Sequence, residues 1–347
     1  MYVTMHRQPD DVRRLLDSGW AAAEEAAHRL AGARRVFTVG IGTSYHAALV
    51  GAWLLRAAGV DARAVSSFDF SVYRESADLT SADAVIVMAH SGVKTYSNDS
   101  LARAAAVGAT RISVGSLIAV HEGSQQVIRT VEREKSAAFT ASHLAAMTVL
   151  AQVATVLGEG RGSASSSGFR AALDQLPDQV ADALKREDEI QPIAQLAATR
   201  RVYAVGAGPN EATALEAVIK VREAAQGWID GLPIEQFLHG PLIAANADDI
   251  AVVVNMRGGA TERVGQITRV LDAIGARVWL IGARVDGLTR AADVFALPAV
   301  TELISPLLTV VPVQILAYHM AVVRGINPDL FRRDDPRYAA ALGLLKL

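Results

Sequence analysis

Short apolar runs alternate along this chain with longer stretches whose apolar positions recur every three or four residues. In the first half the runs predict strands at Val60–Val65, Ala84–Met88, Arg111–Val114 and Val127–Val131, after an earlier one that begins at Arg34. An amphipathic helix over Asp10–Ala33 precedes them, and further helices fit at Ser44–Ala58, Asn98–Val107 and Thr140–Leu157. The second half repeats the plan. A long helix starts at Phe169, and strands follow at Arg201–Val205, Ile250–Asn255, Val278–Ile281 and Val294–Leu297. Strands alternating with helices predict an α/β fold whose mostly parallel sheets are covered on both faces.

The repetition extends to individual residues. Arg34-Arg35-Val36-Phe37-Thr38-Val39-Gly40-Ile41-Gly42 returns as Arg200-Arg201-Val202-Tyr203-Ala204-Val205-Gly206-Ala207-Gly208. Each copy reads as a strand, a tight turn and the start of a helix. Between the halves lies a Gly/Ser-rich stretch, so the expected organisation is one domain over 1–158, a linker over 159–168 and a second domain over 169–347.

Composition narrows the function. With 51% hydrophobic and 20% charged residues the chain is globular, and a net charge of −2 with scattered basic residues predicts no nucleic-acid partner. There is no cysteine, which excludes disulfides, thiolate-held metals and thiol nucleophiles. Met1–Arg14 is charged and lacks an apolar core, so no secretory signal is expected and the chain reads as cytoplasmic. Ile304–Val323 has the length of a membrane span without a formal charge, but it contains Pro306, Pro312, Gln314 and His319 and has no aromatic or basic belt. A buried or subunit-contact helix is expected there, with no membrane partner.

Both Gly-x-Gly turns lack the third glycine of a dinucleotide fingerprint. Tyr45 and Glu211 would obstruct a pyrophosphate. Gly42-Thr43-Ser44 instead offers hydroxyls and backbone N–H groups at a helix start, suited to an anion or a sugar oxygen, or simply to capping. The loop His90-Ser91-Gly92-Val93-Lys94-Thr95, after the third strand, combines small, hydroxyl and cationic residues. It can wrap a tetrahedral anion, or be a solvated loop capped by Ser97. On the helix expected over residues 211–227, Glu216, Lys220 and Glu223 share one stripe, either as acid–base groups or as surface ion pairs. His239 precedes Gly240-Pro241 at the mouth of a turn. The eight histidines never fall three to five residues apart, so no metal site is expected.

Gly42-Thr43-Ser44-Tyr45, His90-Ser91-Gly92, Glu134-Lys135-Ser136 and Leu238-His239-Gly240-Pro241-Leu242, in this order, resemble tandem SIS-domain (sugar isomerase) proteins. The likeness is to the isomerase portion of glucosamine-6-phosphate synthase and its deaminase and deglycase relatives. It implies two flavodoxin-like SIS domains, and a homodimer with shared active sites near the subunit interface. It also implies phosphate binding by Ser44, Ser91 and Thr95, a carbon-acid base at Glu223, ring opening by His239 and a supporting carboxylate at Glu216. Gly42, Thr43, His90, Gly92, Lys94 and Ser136 complete the candidate substrate-binding set read from the loops, Thr43 and Ser136 as donors to an enediolate, and no cofactor or metal is required.

Three departures shape the expectation. These 347 residues hold no glutaminase portion and no cysteine, so glutamine-driven amination is not expected of them. The family's tail lysine is matched by Ala341, with Lys346 as the only late alternative. The anion loop, Ser-x-Ser-Gly-x-Thr in the family, here begins with Ala89 and has an added residue before Thr95, losing a hydroxyl and gaining Lys94. The expected activity is cofactor-independent aldose–ketose isomerisation of an anionic hexose, either a sugar phosphate or a sulfo-sugar such as sulfoquinovose. The alternatives are an amino-sugar phosphate deaminase or deglycase and a non-catalytic sugar-phosphate sensor.

Overall fold

The computed structural model describes residues 1–92, 94–288 and 292–345, so Lys346 lies outside the described residues. The chain divides into two units. The N-terminal unit comprises Arg7–Lys135, Phe139–Pro177 and the chain from Arg332; the C-terminal unit comprises Asp178–Phe331 with Met1–His6 and Ser136–Ala138.

Two helices open the chain, α1 (Tyr2–Ser18) and α2 (Trp20–Leu30). The single expected helix over Asp10–Ala33 is therefore two, broken at Gly19, the residue type least suited to a helix interior after proline. The N-terminal unit continues with β1 (Val36–Gly40), α3 (Thr43–Ala57), β2 (Ala62–Ser66), α4 (Ser67–Val72), β3 (Ala84–Met88), α5 (Thr95–Ala106), β4 (Thr110–Gly115), β5 (Gln126–Arg129) and α6 (Ala141–Arg161). Its strands form one parallel sheet in the order β2-β1-β3-β4-β5. Every residue of β1 and β3 is buried, as befits central strands covered on both faces. Phe37, Val39, Phe70, Val85, Val87 and Leu101 form a core cluster in this unit. Each large side chain buried there contributes about 1.5–3 kcal/mol.

The segment expected as a linker, 159–168, is a packed helix end. α6 runs through Arg161 and stops at Gly162, whose left-handed backbone forms the C-cap. Arg161 donates to the carbonyls of Gly59 and Ala31, Ser163 donates to that of Ala57, and Ser166 is buried. Its glycines and serines serve a helix terminus and its anchoring bonds. From there α7 (Phe169–Lys185) leads on to α8 (Gln191–Ala197).

The C-terminal unit then lays down β6 (Val202–Gly206), α9 (Glu211–Ala225), β7 (Ile229–Pro233), α10 (Ile234–Leu238), β8 (Ile250–Asn255), α11 (Thr261–Ile274), β9 (Arg277–Gly282), β10 (Asp293–Phe295) and α12 (Pro306–Val323). Its parallel sheet has the order β10-β9-β8-β6-β7, which is the N-terminal order strand for strand. Tyr203, Val205, Phe237, Val253, Ile267 and Leu280 lie in its core. A short helix, α13 (Pro336–Leu342), carries Ala341 in the terminal segment of the N-terminal unit.

The repeated Arg-Arg motif is a structural clamp. Arg35 grips the buried Asp83 through Nε and Nη2 at 3.1 and 3.0 Å, and Arg34 does the same. In the second unit Arg201 grips Asp249 at 3.1 and 2.8 Å. Each aspartate also takes a backbone N–H three residues upstream, from Thr80 or Asn246. Burial alone would raise the Asp83 carboxyl, but the two guanidiniums and Thr80 outweigh it and hold it well below the usual carboxylate range.

α6 and α12 are long and apolar enough to cross a membrane, and the windows that qualify are 94% and 78% buried inside the fold. They are equivalent elements: α6 packs on α3 in one unit and α12 on α9 in the other.

Candidate active site

In both units the first strand ends in a glycine that a larger residue could not replace. A Cβ on Gly40 would lie 2.3 Å from the Ser44 carbonyl oxygen, and one on Gly206 would lie 2.0 Å from that of Asn210. The chain turns so tightly there that the next helix begins beside the strand end. α3 starts at Thr43 with Gly42 as N-cap and no capping side chain, so Thr43 and Ser44 are not the helix caps that the plain reading expected.

Thr43 and Ser44 line a small open cleft together with His90, Thr130, Phe139, Ser142 and His143. All belong to the N-terminal unit. Ser91, Gly92, Lys94 and Thr95 belong to the same unit but are not among the lining residues of this cleft. Lys94 is exposed where α5 begins at Thr95, and Ser97 accepts from the Lys94 N–H at 2.8 Å, which closes the first turn from inside the helix. Ser136 belongs to the C-terminal unit, where its buried hydroxyl donates to the Ala138 carbonyl at 3.3 Å.

Behind the cleft stands a residue to which the motif reading gave no role. Glu134 is 5% exposed, and its carboxylate occupies the start of α6. It accepts from the N–H groups of Thr140 and Ser142 at 3.0 and 2.8 Å and from both hydroxyls, the Ser142 contact being 2.6 Å. A buried carboxylate held by several donors at a helix N-terminus is stabilised by those bonds and by the helix dipole. The Glu134 N–H in turn donates to His90 Nε2 at 3.4 Å.

In the C-terminal unit the charged stripe of α9 is internal. Glu216 and Lys220 are fully buried, and the Glu223 side chain is 27% exposed. Lys220 Nζ lies 3.4 Å from Glu216 Oε1 and donates to Glu223 Oε2 at 2.9 Å. The surface-ion-pair reading of this stripe is thereby corrected: α12 packs along α9 and takes that face out of water. Burying three ionisable groups on one face is costly unless they are paired, and Lys220 supplies the pairing. The same interface holds a polar seam that the sequence reading missed. Asn210 donates to Ser305 at 2.8 Å, Thr309 donates to Asn210 at 2.8 Å, and the hydroxyls of Thr213 and Thr309 are 2.8 Å apart. Its sequence signal is Thr309 near the start of a largely apolar helix.

His239 caps the short α10, and the positive φ of Gly240 (135°) turns the chain directly after it. Its side chain is 76% exposed and Nε2 lies 3.5 Å from Glu235 Oε2. Arg263 holds that carboxylate from its other side, through both oxygens. Glu223, Glu216 and His239 thus share one unit: two carboxylates in a shielded cluster, and an imidazole open to solvent. No group of three metal-binding side chains occurs among the described residues.

A tandem of parallel sheets flanked by helices, with Gly-Thr-Ser at a strand end of one unit and a Glu-Lys-Glu stripe on a helix of the other, defines the class. The SIS domain matches residues 29–156 and 195–324, and the chain belongs to the SIS domain family. It is 31% identical over 336 residues to a glutamine–fructose-6-phosphate aminotransferase [isomerizing] of Pyrococcus horikoshii. That alignment covers 95% of this chain and 56% of the relative, so the chain spans little more than half of the relative's length. Among solved structures it superposes on the C-terminal domain of a glucosamine-fructose-6-phosphate aminotransferase from Francisella tularensis with a TM-score of 0.84 at 18% identity, covering 94% and 96% of the two chains. It also superposes on tagatose-6-phosphate ketose/aldose isomerase from Escherichia coli, with a TM-score of 0.76 at 19% identity and 94% of each chain covered.

Proposed function

We propose that this protein is a cofactor-independent aldose–ketose isomerase for an anionic hexose. The observation that carries the reading is the buried Glu216–Lys220–Glu223 stripe, an acid–base cluster for which a purely structural helix face has no need. Membership of the SIS family, and relatives named for isomerising a sugar phosphate, support it.

In this reading Glu223 is the carbon-acid base. With the open-chain aldose bound, its carboxylate takes the proton from C2, the C–H electron pair forms the C1–C2 double bond, and the carbonyl oxygen at C1 takes up a proton. The enediol then loses its O2 proton as C1 receives one, which leaves the ketose. Lys220, donating to Glu223 Oε2, positions the base, and Glu216 fixes Lys220 from the other side. A positioned general base of this kind contributes about 10²–10⁴ in rate. His239, whose imidazole is exposed, is assigned to ring opening, and the proposed assembly is a cytoplasmic homodimer with shared sites. Thr43, Ser44, His90, Ser91, Gly92, Lys94 and Thr95 are assigned to the acidic end of the sugar, and Ser136 to a sugar oxygen.

The test is NMR in D₂O with glucose 6-phosphate, fructose 6-phosphate, glucosamine 6-phosphate and sulfoquinovose. The expected result is deuterium at C2 of one of them, abolished in Glu223→Gln. Exchange that persists in the variant removes Glu223 from its role. Release of ammonia moves the reaction to deamination.

A further inference from the structure

α12 meets α9 at two points that bracket the ionisable stripe. At the start of the pair, Asn210 and Thr213 meet Ser305 and Thr309. Just past the end of α9, Met320 packs against Gly227, where an added Cβ would lie 3.0 Å from its Cε. Thr213, Glu216, Lys220 and Glu223 fall at i, i+3, i+7 and i+10, so the polar contact heads the same face that carries the stripe.

The polar contact is closed and has one arrangement. Ser305 donates to the Glu302 carbonyl at 2.7 Å, so its oxygen accepts from the Asn210 amide at 2.8 Å. That turns Asn210 Oδ1 towards the threonine hydroxyls, Thr309 donating to it at 2.8 Å and Thr213 lying 3.2 Å from it. All four side chains are buried, none more than 3% exposed. Elsewhere α12 is buried mainly through aliphatic side chains, Leu308, Val313, Leu316 and Met320 among them, and Pro312 removes a rung of its backbone ladder. Aliphatic ridges pack in more than one register, whereas a buried amide with three hydroxyls is satisfied in one.

The other unit shows these positions without such a contact. Counted from the strand-end glycines Gly206 and Gly40, Asn210 and Thr213 correspond to Ser44 and Ala47, and both of those line the open cleft. In the C-terminal unit the same two positions are committed to holding α12.

We infer that Asn210, Thr213 and Thr309 are positioning residues for the isomerisation: they set the register of α12 on α9, and so keep Lys220 dry and Glu223 aligned on C2 of the sugar. This rests on the proposed function in giving Glu223 the proton transfer. A slip of α12 lets water reach Lys220, weakens its 2.9 Å bond to Glu223 and frees the base from its alignment.

The test compares Thr309→Val, which keeps the shape and removes the hydroxyl, with Thr309→Ser, which keeps the hydroxyl. Thr309→Val is expected to lower kcat by up to about 10²-fold with KM nearly unchanged, and Thr309→Ser to retain most of the wild-type rate. A second readout needs no substrate. Lys220 is fully buried, so it is expected to resist acetylation by acetic anhydride in the wild type, with the exposed Lys185 as the reference, and to become reactive in Thr309→Val. Thr213→Val is expected to behave in the same way, and replaces Thr309→Val if that variant fails to fold. Wild-type kcat in a folded valine variant, or Lys220 as protected there as in the wild type, overturns the inference. An equal loss of rate in Thr309→Ser does so too, because the hydroxyl is then not what acts. A wild-type protein without isomerase activity removes the proposed function, and the labelling of Lys220 then decides the lock by itself.

Discussion

α3 and α9 are the same helix used for opposite purposes. Aligned on the strand-end glycines Gly40 and Gly206, the positions of Glu216, Lys220 and Glu223 are matched by Val50, Leu54 and Ala57. The three N-terminal residues are apolar, Val50 and Leu54 fully buried and Ala57 half-buried, and α6 packs on their helix as α12 packs on α9. The sheets share strand order, and the strand-end glycines and the Arg–Asp clamps recur. What was duplicated is the scaffold. The ionisable stripe stands on one face of one helix, and hydroxyl and imidazole donors stand at the strand ends of the other unit.

The strongest test of that comparison converts α9 into α3. The triple variant Glu216→Val/Lys220→Leu/Glu223→Ala is expected to fold with unchanged or higher melting temperature, since an apolar replacement of a buried ionic group is often neutral or stabilising. Its isomerisation and C2 exchange are expected to be lost, and Glu223→Gln alone should lower kcat by about 10²–10⁴. Lys220→Met is the contrasting case. It leaves Glu216 buried without its cation, and urea unfolding should show a loss of about 3–5 kcal/mol.

Smaller effects test the shared scaffold. Gly40→Ala and Gly206→Ala each force a methyl group against a backbone carbonyl, so each should cost about 1–3 kcal/mol, and by similar amounts. Unequal losses would mean that the two turns are not equivalent. Asp83→Asn should cost about 1–3 kcal/mol at neutral pH through its weakened guanidinium bonds. The Asp83 carboxyl is held below its unfolded value, so the stability it confers is present above about pH 4 and is lost as pH falls through the lower folded value. Melting temperature against pH should therefore fall less steeply below pH 4 in Asp83→Asn than in the wild type.

Much of this architecture is legible in the sequence because central parallel strands are written as unbroken apolar runs. β3 begins and ends at the expected residues, Ala84 and Met88, and β8 at Ile250 and Asn255. β7 escaped notice because Ile229-Asp230-Gly231-Leu232-Pro233 reads as a turn; it is an edge strand, where a proline is tolerated and pairing with β6 supplies the order. The charged stripe on α9 was legible as a stripe but not as an interior, because burial depends on a helix more than eighty residues further along the chain. Glu134 was visible only as part of a motif. Its partners Thr140 and Ser142 become neighbours only when α6 begins beside it.

The Arg–Asp clamps lie where β1, β3, β6 and β8 begin, whereas the glycine turns and the His90 loop lie where strands end. In the N-terminal unit the clamp and the candidate recognition loops therefore occupy opposite edges of the sheet. A combinatorial library confined to residues 41–45 and 89–95 would explore new specificities while both clamps remained untouched. Variants drawn from it should differ in what they recognise far more than in whether they fold.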